Sequence, residues 1–425
     1  LPDNDVVVLD MPLHKGWKMF WAQRQGKADG ICKFFPANAD RKVPFSADFI
    51  EQKKRFRQEL FKIFDHRCSA EGVSFVQWMK DKYTFAFEPD IIDKTYFLSV
   101  NLNRFFDQYR PEFIVAQYSR DLSAVMGVIA RNKKIPALLI PHGSFTAIHD
   151  QYSKIDWKQN AFGMVNTSYE YLAVQTPLLN DFLAAMPVLS KLVVTGPLVF
   201  GQKIKRNEAN IDRLRRQYAP KGEKILLHAG TPKFRRGQRL INYETLDEYV
   251  DGIISLVKSV DRLEGVHLIV RYREIDGFSV DELKSLLPVS AKYSVASGGS
   301  FADYLTLADL LISYSSTTIE EALQNNIPVL LFNPYQRYVH IKGAEISSEN
   351  QPAKPSAVYN VNSPEGLEPA LKWIAAHHLQ QAKDALSGLF EPYQFKAAEV
   401  VSLVDFIKEK YKLQNTHDKQ ITSYK

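Results

Sequence analysis

The sequence predicts an α/β protein made of two doubly wound, Rossmann-like domains facing across a cleft, and three observations carry that prediction. From about residue 113 onward, short apolar runs alternate with stretches of helical periodicity. The apolar runs are nearly continuous, as in parallel strands that helices cover on both faces. At GQKIKRNEANIDRLRRQYAPKGE, residues 201–223, the chain turns polar and basic, and beyond it the alternation restarts. The break puts a domain boundary there. The expected division is 1–205, 206–390, and a C-terminal helix and tail at 391–425. Doubly wound domains bind ligands at the carboxyl ends of their strands, so the active site is expected in the cleft.

The elements follow in order. NDVVVLDM is strand-like, and DFIEQKKRFRQELFKIFDHRC is a charged amphipathic helix. EFIVAQ reads as a strand, DLSAVMGVIARNKK as a helix, and IPALLIPHGS as a strand entering a loop. EYLAVQT and KLVVTGP are strands on either side of a helical PLLNDFLAAM. After the break, KILLHAGT, VHLIVRYRE, ADLLISYSS and IPVLLFN read as strands. YETLDEYVDGIISLVKSVDRL, VDELKSLL and TTIEEALQNN are the helices between them. EPYQFKAAEVVSLVDFIKEKYK is expected to be a helix packing back toward the first domain, with a disordered tail after it. No internal repeat or low-complexity tract stands out.

Bulk composition excludes several classes. A chain of 425 residues with 45% hydrophobic and 24% charged residues is an ordinary globular protein with room for two full cores. No apolar run reaches the roughly 18 residues that a membrane span requires. The opening LPDNDVVVLDMP has no initiator Met and no basic n-region, so the chain is expected to be cut from a longer protein whose targeting segment could be missing. Two cysteines, Cys32 and Cys68, are too few for a disulfide framework or a zinc site and suit a reducing compartment. The net charge of +6 permits a phosphate-rich ligand or an anionic membrane face but demands neither, and no nucleic-acid partner is expected.

The most informative stretch is LLISYSSTTIEEALQNNIPVLLFNP, residues 310–334. A strand ends in a hydroxyl cluster, a helix follows, and free backbone N–H groups at that junction attract anions. Ser315, Ser316 and Thr317 add hydroxyl donors suited to phosphate oxygens. Thr317 with Glu320 three residues on also reads as a capping box, which needs no ligand. Capping does not explain Ser315, Ser316, Thr318 and Glu321 as well.

This segment resembles the donor-binding segment of GT-B fold glycosyltransferases, above all bacterial enzymes that build capsules, lipopolysaccharide and teichoic acids. The resemblance extends to LLIPHGS, to YLAVQTPLLNDFLAAMPVLSKLVVTGP and to ILLHAGTPKFRRG, and covers about residues 113 to 375. It implies a nucleotide-sugar donor, with Glu321, followed by Ala322, as the acid that hydrogen-bonds the ribose. Many retaining members carry a second glutamate eight positions earlier. Here that position is Ser313, which favours an inverting or an atypical retaining mechanism.

Other residues suit the same chemistry. In HAGTPKFRRG, Gly230 and Thr231 let backbone approach a ligand, while Lys233, Arg235 and Arg236 would hold phosphates and offset leaving-group charge without a metal. The alternative is a solvated basic loop. Arg271 and Arg273 would project to one face, with Arg273 reaching the nucleotide or only pairing with Glu274. His142 in PHG ends a first-domain strand and titrates near neutrality, as a base for an acceptor hydroxyl must. Teichoic-acid type enzymes resemble this segment and use such a histidine as base; a structural loop histidine is the alternative. Asp121 competes for the role, although aspartate is also a favoured helix cap. His228 is expected to be satisfied within its loop, and His377 and His378 to lie at the surface. No metal or other cofactor is expected.

The resulting expectation is a glycosyltransferase that moves a sugar from a CMP-, UDP- or GDP-linked donor to a glycan or lipid-linked glycan acceptor of the bacterial surface. It would work in the cytoplasm, with peripheral contact at the inner membrane allowed. A nucleotide-sugar 2-epimerase of the same fold and a non-catalytic nucleotide-binding assembly subunit are the alternatives.

Overall fold

The computed structural model describes strands at 6–9 and 31–34, and then residues 44–67, 73–117, 119, 121–141, 143, 148, 151, 154, 164–165, 167–186, 188–205, 207–230, 244–274, 278–336 and 339–410. Strands β1 (Val6–Leu9) and β2 (Ile31–Phe34) pair in parallel. A four-stranded sheet runs β3 (Ile114–Ala116), β4 (Ala137–Leu139), β5 (Tyr171–Val174) and β6 (Lys191–Val194), in that order, with helix α5 (Leu178–Ala185) between β5 and β6 in the chain. A seven-stranded sheet contains β7 (Lys224–Gly230), β8 (Val266–Tyr272), β9 (Tyr293–Ala296), β10 (Leu310–Ser313), β11 (Val329–Phe332), β12 (Ala344–Glu345) and β13 (Val358–Val361). Its order is β12-β13-β11-β10-β7-β8-β9, and its pairs are parallel. Parallel sheets with helices between successive strands make the α/β, GT-B-like architecture that the sequence predicts.

By Cα proximity the chain divides into Leu1–Leu138 with Thr167–Glu170, and Leu139–Asn166 with Tyr171–Lys425. In the first unit, α1 (Ala47–Arg67) lies along a continuous helical run. That run comprises α2 (Val73–Lys82), a π-helical turn at Tyr83–Asp93, and α3 (Lys94–Tyr109). Buried Glu88 fixes α1 by accepting two bonds from Arg57, at 2.6 and 2.8 Å, and Lys53 reaches Asp93 at 2.9 Å. Helix α4 (Asp121–Asn132) follows β3 and packs on α3.

In the second unit, residues alternate across the seven-stranded sheet. Leu226, Leu268, Val270, Leu310 and Ile312 join one core with α7 (Leu246–Asp261) and a C-terminal helix at Pro364–His377. Ile225, Leu227, Ala229 and Leu311 join the other with α6 (Glu208–Tyr218), α9 (Phe301–Leu307) and α10 (Thr318–Gln324). Each large apolar side chain buried in this way contributes about 1.5–3 kcal/mol before chain entropy is subtracted. Between β8 and β9, α8 (Val280–Leu286) is started by a Ser279–Glu282 capping box, as α7 is by Thr245 and Glu248. Pro364 opens the C-terminal helix, α11, where Ser363 caps the Gly366 N–H at 3.2 Å.

The basic stretch at 201–223 contains α6, whose Ile211, Leu214 and Tyr218 fall on one helical face and bury in the core of the seven-stranded sheet. Two expectations are corrected. The helix expected over 391–412 is instead a 3₁₀ turn at Lys383–Tyr393, another at Ala397–Glu399, and a helix only at 403–410, α12. Pro392 cannot donate to a continuing ladder, and side-chain bonds to α10 hold the segment where it is: Gln324 to Tyr393 O at 2.6 Å and Gln394 to Leu323 O at 2.8 Å. The tail then returns to the four-stranded sheet. Val401 N–H donates to Val194 O at 2.8 Å, and Phe406 meets Tyr171 edge-on at 5.0 Å. Second, of the two histidines expected at the surface, His377 is exposed and stacks on Trp373, but His378 is buried and shares a 2.7 Å hydrogen bond with Tyr359. No helix among the described residues is long and apolar enough to cross a membrane.

Candidate functional site

The seven-stranded sheet reverses direction between β7 and β10, so its crevice opens at the carboxyl ends of those two strands. Ser313, the last residue of β10, is 1% exposed and donates its hydroxyl to Ala229 O at 2.7 Å. This side chain bolts β10 to β7 and does not face the crevice. Residues 314–317 then form a half-buried loop into α10. Ser316 Oγ accepts from Thr318 N–H at 3.3 Å, and Thr317 makes no capping bond from its side chain. The capping box expected from Thr317 and Glu320 is therefore absent, because Glu320 turns inward.

Two adjacent acids in the first turn of α10 have different surroundings. Glu320 is 1% exposed, with Oε2 accepting from the Thr176 hydroxyl at 3.5 Å and Oε1 3.7 Å from His340 Nε2. Burial pushes its carboxyl up, against the opposing influence of His340 and Thr176. Glu321 is half-buried, and no described side chain hydrogen-bonds its carboxyl. Burial, with the charge of Glu320 added, pushes it up to about 7. Such a carboxyl stands ready for a polar ligand that can satisfy it.

Across from α10, His228 in β7 is buried and pushed down to about 4 by desolvation, so its imidazole is neutral. Its Nδ1 has no hydrogen-bond partner among the described residues. Its ring lies 5.7 Å from that of Tyr249, whose buried hydroxyl is likewise without a partner among them. Gly230 ends β7 beside both rings; a Cβ there would lie 3.4 Å from Tyr249 Cε2.

Arg271 and Arg273 divide their roles. Arg271 is committed to structure, donating to the Tyr272, Ala296 and Gly299 carbonyls at 3.0–3.1 Å and lying 5.3 Å over the Tyr304 ring. Arg273, just past the strand, is exposed, and Glu274 accepts from Val280 N–H rather than from it. Arg273 is thus available to a ligand.

Thr231, Lys233, Arg235, Arg236 and His142 lie outside the described residues. Gly143, next to His142 in sequence, is described: a Cβ there would lie 3.7 Å from Thr317 Cγ2, so Gly143 adjoins the hydroxyl loop. Asp121 opens α4 in the first unit. The structure thus brings Gly143, Ser315, Ser316, Thr317 and Glu321 into one neighbourhood. Sequence reasoning missed Thr176, His340 and Tyr249, which carry no motif and are found only through their contacts. No cluster of three or more His, Cys, Asp or Glu suited to a metal occurs among the described residues.

No protein family and no curated protein matches the chain. Among solved structures, it is similar to a glycosyltransferase from Rickettsia africae at 12% identity, covering 96% of this chain and 89% of that one with a TM-score of 0.48. It is similar to a UDP-GlcNAc 2-epimerase from Neisseria meningitidis, bound to UDP-GlcNAc, at 13% identity, 77% and 82% coverage and a TM-score of 0.46. An Anabaena protein in complex with UDP and glucose gives 11% identity, 97% and 99% coverage, and 0.46. At these values the likenesses carry no argument for activity, which has to rest on the residues.

Proposed function

We propose that the chain is a nucleotide-sugar-dependent glycosyltransferase that moves a sugar from a CMP-, UDP- or GDP-linked donor to a bacterial surface glycan such as lipopolysaccharide O-antigen or capsule. The observation that carries this reading is Glu321. It is a half-buried acid without a described partner, one turn from the Ser315–Thr317 hydroxyls, at the carboxyl ends of the strands where the sheet reverses. Vicinal ribose hydroxyls would donate to the carboxylate, the serine and threonine hydroxyls would meet phosphate oxygens, and Arg273 with Lys233, Arg235 and Arg236 would offset their charge. Residues 206–390 would hold the donor and 1–205 the acceptor.

In the transfer step, His142 takes the proton of an acceptor hydroxyl as its oxygen bonds to the anomeric carbon. The bond from that carbon to the phosphate oxygen breaks, and the nucleotide leaves with both electrons. Ser313, bolted to Ala229, leaves no glutamate at the position that many retaining enzymes use, which supports direct, inverting displacement. The chain would act in the cytoplasm, in peripheral contact with the membrane that carries a lipid-linked acceptor.

The experiment is incubation with CMP-, UDP- and GDP-sugars in the presence of surface-glycan acceptors. Transfer appears as free nucleotide together with an extended acceptor. Epimerised sugar without acceptor extension replaces the reading with a 2-epimerase, and intact donors with tight nucleotide binding replace it with an assembly subunit.

A further inference from the structure

The most under-satisfied buried acid in the second unit is Glu320, and no step above uses it. Its carboxyl has been taken out of water, yet among the described residues Oε1 makes no hydrogen bond, with His340 Nε2 3.7 Å away, and Oε2 makes only the 3.5 Å contact with Thr176. Leaving a buried carboxyl so poorly served is costly, and the usual outcome is replacement by an apolar residue or a tight pairing. Three separate pieces of chain converge on it: the turn after β5 through Thr176, the first turn of α10, and the loop after β11 through His340. The next residue along the chain is Glu321.

We propose that Glu320 is a positioning residue of this site: anchored to His340 and Thr176, it holds the first turn of α10, and with it the carboxyl of Glu321, in the stance that meets the donor's ribose. The proposal rests on the nucleotide reading above. Glu320 acts through two routes. Mechanically, it links the first turn of α10, which presents Glu321, to Thr176 at 3.5 Å and to His340 of the β11–β12 loop at 3.7 Å. Electrostatically, its charge is the one that burial leaves acting on Glu321, while among the described residues His340 and the Thr176 hydroxyl are the groups that favour its own ionised form. Weakening either anchor therefore keeps Glu320 protonated longer and frees Glu321 to ionise earlier.

The test reads Glu321 directly by NMR in protein labelled with ¹³C at the glutamate carboxyl carbons, its resonance assigned by its loss in Glu321→Gln. Without nucleotide, the wild-type midpoint is expected near 7. Glu320→Gln should lower it, because the charge of Glu320 adds to burial in raising Glu321. Thr176→Val and His340→Gln should lower it less, and adding either to Glu320→Gln should give no further shift. If Glu320→Gln does not fold, the other two variants carry the test. A Glu321 midpoint that stays put in every folded variant, with only the melting temperature falling, makes Glu320 a packing residue and overturns the proposal. UDP, CDP, CMP and GDP titrations of the wild type run in parallel. Shifts in the NMR midpoint with no nucleotide bound would refute the nucleotide reading while leaving the Glu320–Glu321 coupling in place.

Discussion

Replacing Glu321 with Gln tests the proposed donor site most directly, because the structure fixes both the size of the effect and its pH dependence. In the free protein the carboxyl titrates near 7, and ribose hydroxyls prefer its charged form. Nucleotide binding to the wild type should therefore strengthen as pH rises through 7 and level off above 8. At about pH 5.5 only roughly 3% of the carboxyl is ionised, so affinity should have fallen most of the way from the plateau toward that of the uncharged site. Gln keeps the shape but loses the charged acceptor, which costs about 1.5–3 kcal/mol on the plateau. Wild type and variant should then differ by roughly 10- to 150-fold at about pH 8.5 and converge near pH 5.5. Isothermal titration calorimetry with the best-binding nucleotide measures this, and the ratio of the two proteins cancels the nucleotide's own phosphate titration. A ratio that is constant across pH, or equal to one on the plateau, would refute the assignment of Glu321. Stability should move the other way. A carboxyl raised in the folded state contributes fully at low pH and loses that contribution as pH climbs from 4.5 through 7. Glu321→Gln should thus be neutral to stability at acid pH and stabilising above 7, by about 1–2 kcal/mol once partial exposure is allowed for.

Arg271→Ala removes bonds to three carbonyls and a ring contact, so urea denaturation should show a loss of about 2–4 kcal/mol, whereas Arg273→Ala should stay within about 0.5 kcal/mol and weaken nucleotide binding instead. Equal stability of the two variants would contradict the division of roles. Tyr249→Phe deletes a buried hydroxyl that has no partner among the described residues and should stabilise the protein by about 1 kcal/mol in the same assay; a destabilised variant would mean that the hydroxyl is satisfied. His142→Ala should reduce turnover by about 10²–10⁴-fold with nucleotide affinity retained, and a variant keeping more than about a tenth of wild-type turnover would remove it from the mechanism.

Much of the architecture was legible because the strands announce themselves. ILLHAG, LIVRY and LLIS are near-continuous apolar runs, and each became a strand of the seven-stranded sheet. The site was legible in part for the same reason: a strand end followed by hydroxyls and acids is a local pattern. What sequence could not say is which acid turns inward. Glu320 and Glu321 are about 100° apart on the helix, and only the position of Thr176 and His340, brought in from distant segments, decides that Glu320 is swallowed and Glu321 is presented. Arg271 and Arg273 show the same limit, since two of the three carbonyls that occupy Arg271 come from β9 and the loop beyond it. Helix α6 was not picked out in the polar stretch at 201–223 because only three apolar residues among many charges make its buried face. His378 was misjudged because its partner, Tyr359, lies on another element.

The order of strands in the large sheet also governs how the protein emerges from the ribosome. Strand β7 sits in the middle, but its partners on its two edges are made at very different times: β8 comes directly after it, while β10 is paired across a separation of 84 residues. At roughly 5–20 residues per second, one edge of β7 stays open for about 4–17 s after its own synthesis. During that interval a bare parallel edge bearing Leu226, Leu227 and Ala229 is exposed, the kind of surface that captures other nascent chains. Chaperone demand should therefore peak before residue 313 leaves the exit tunnel. Expression fragments that stop between β9 and β10 should precipitate, whereas those that end before β7 or run past α11 leave that edge either unmade or covered.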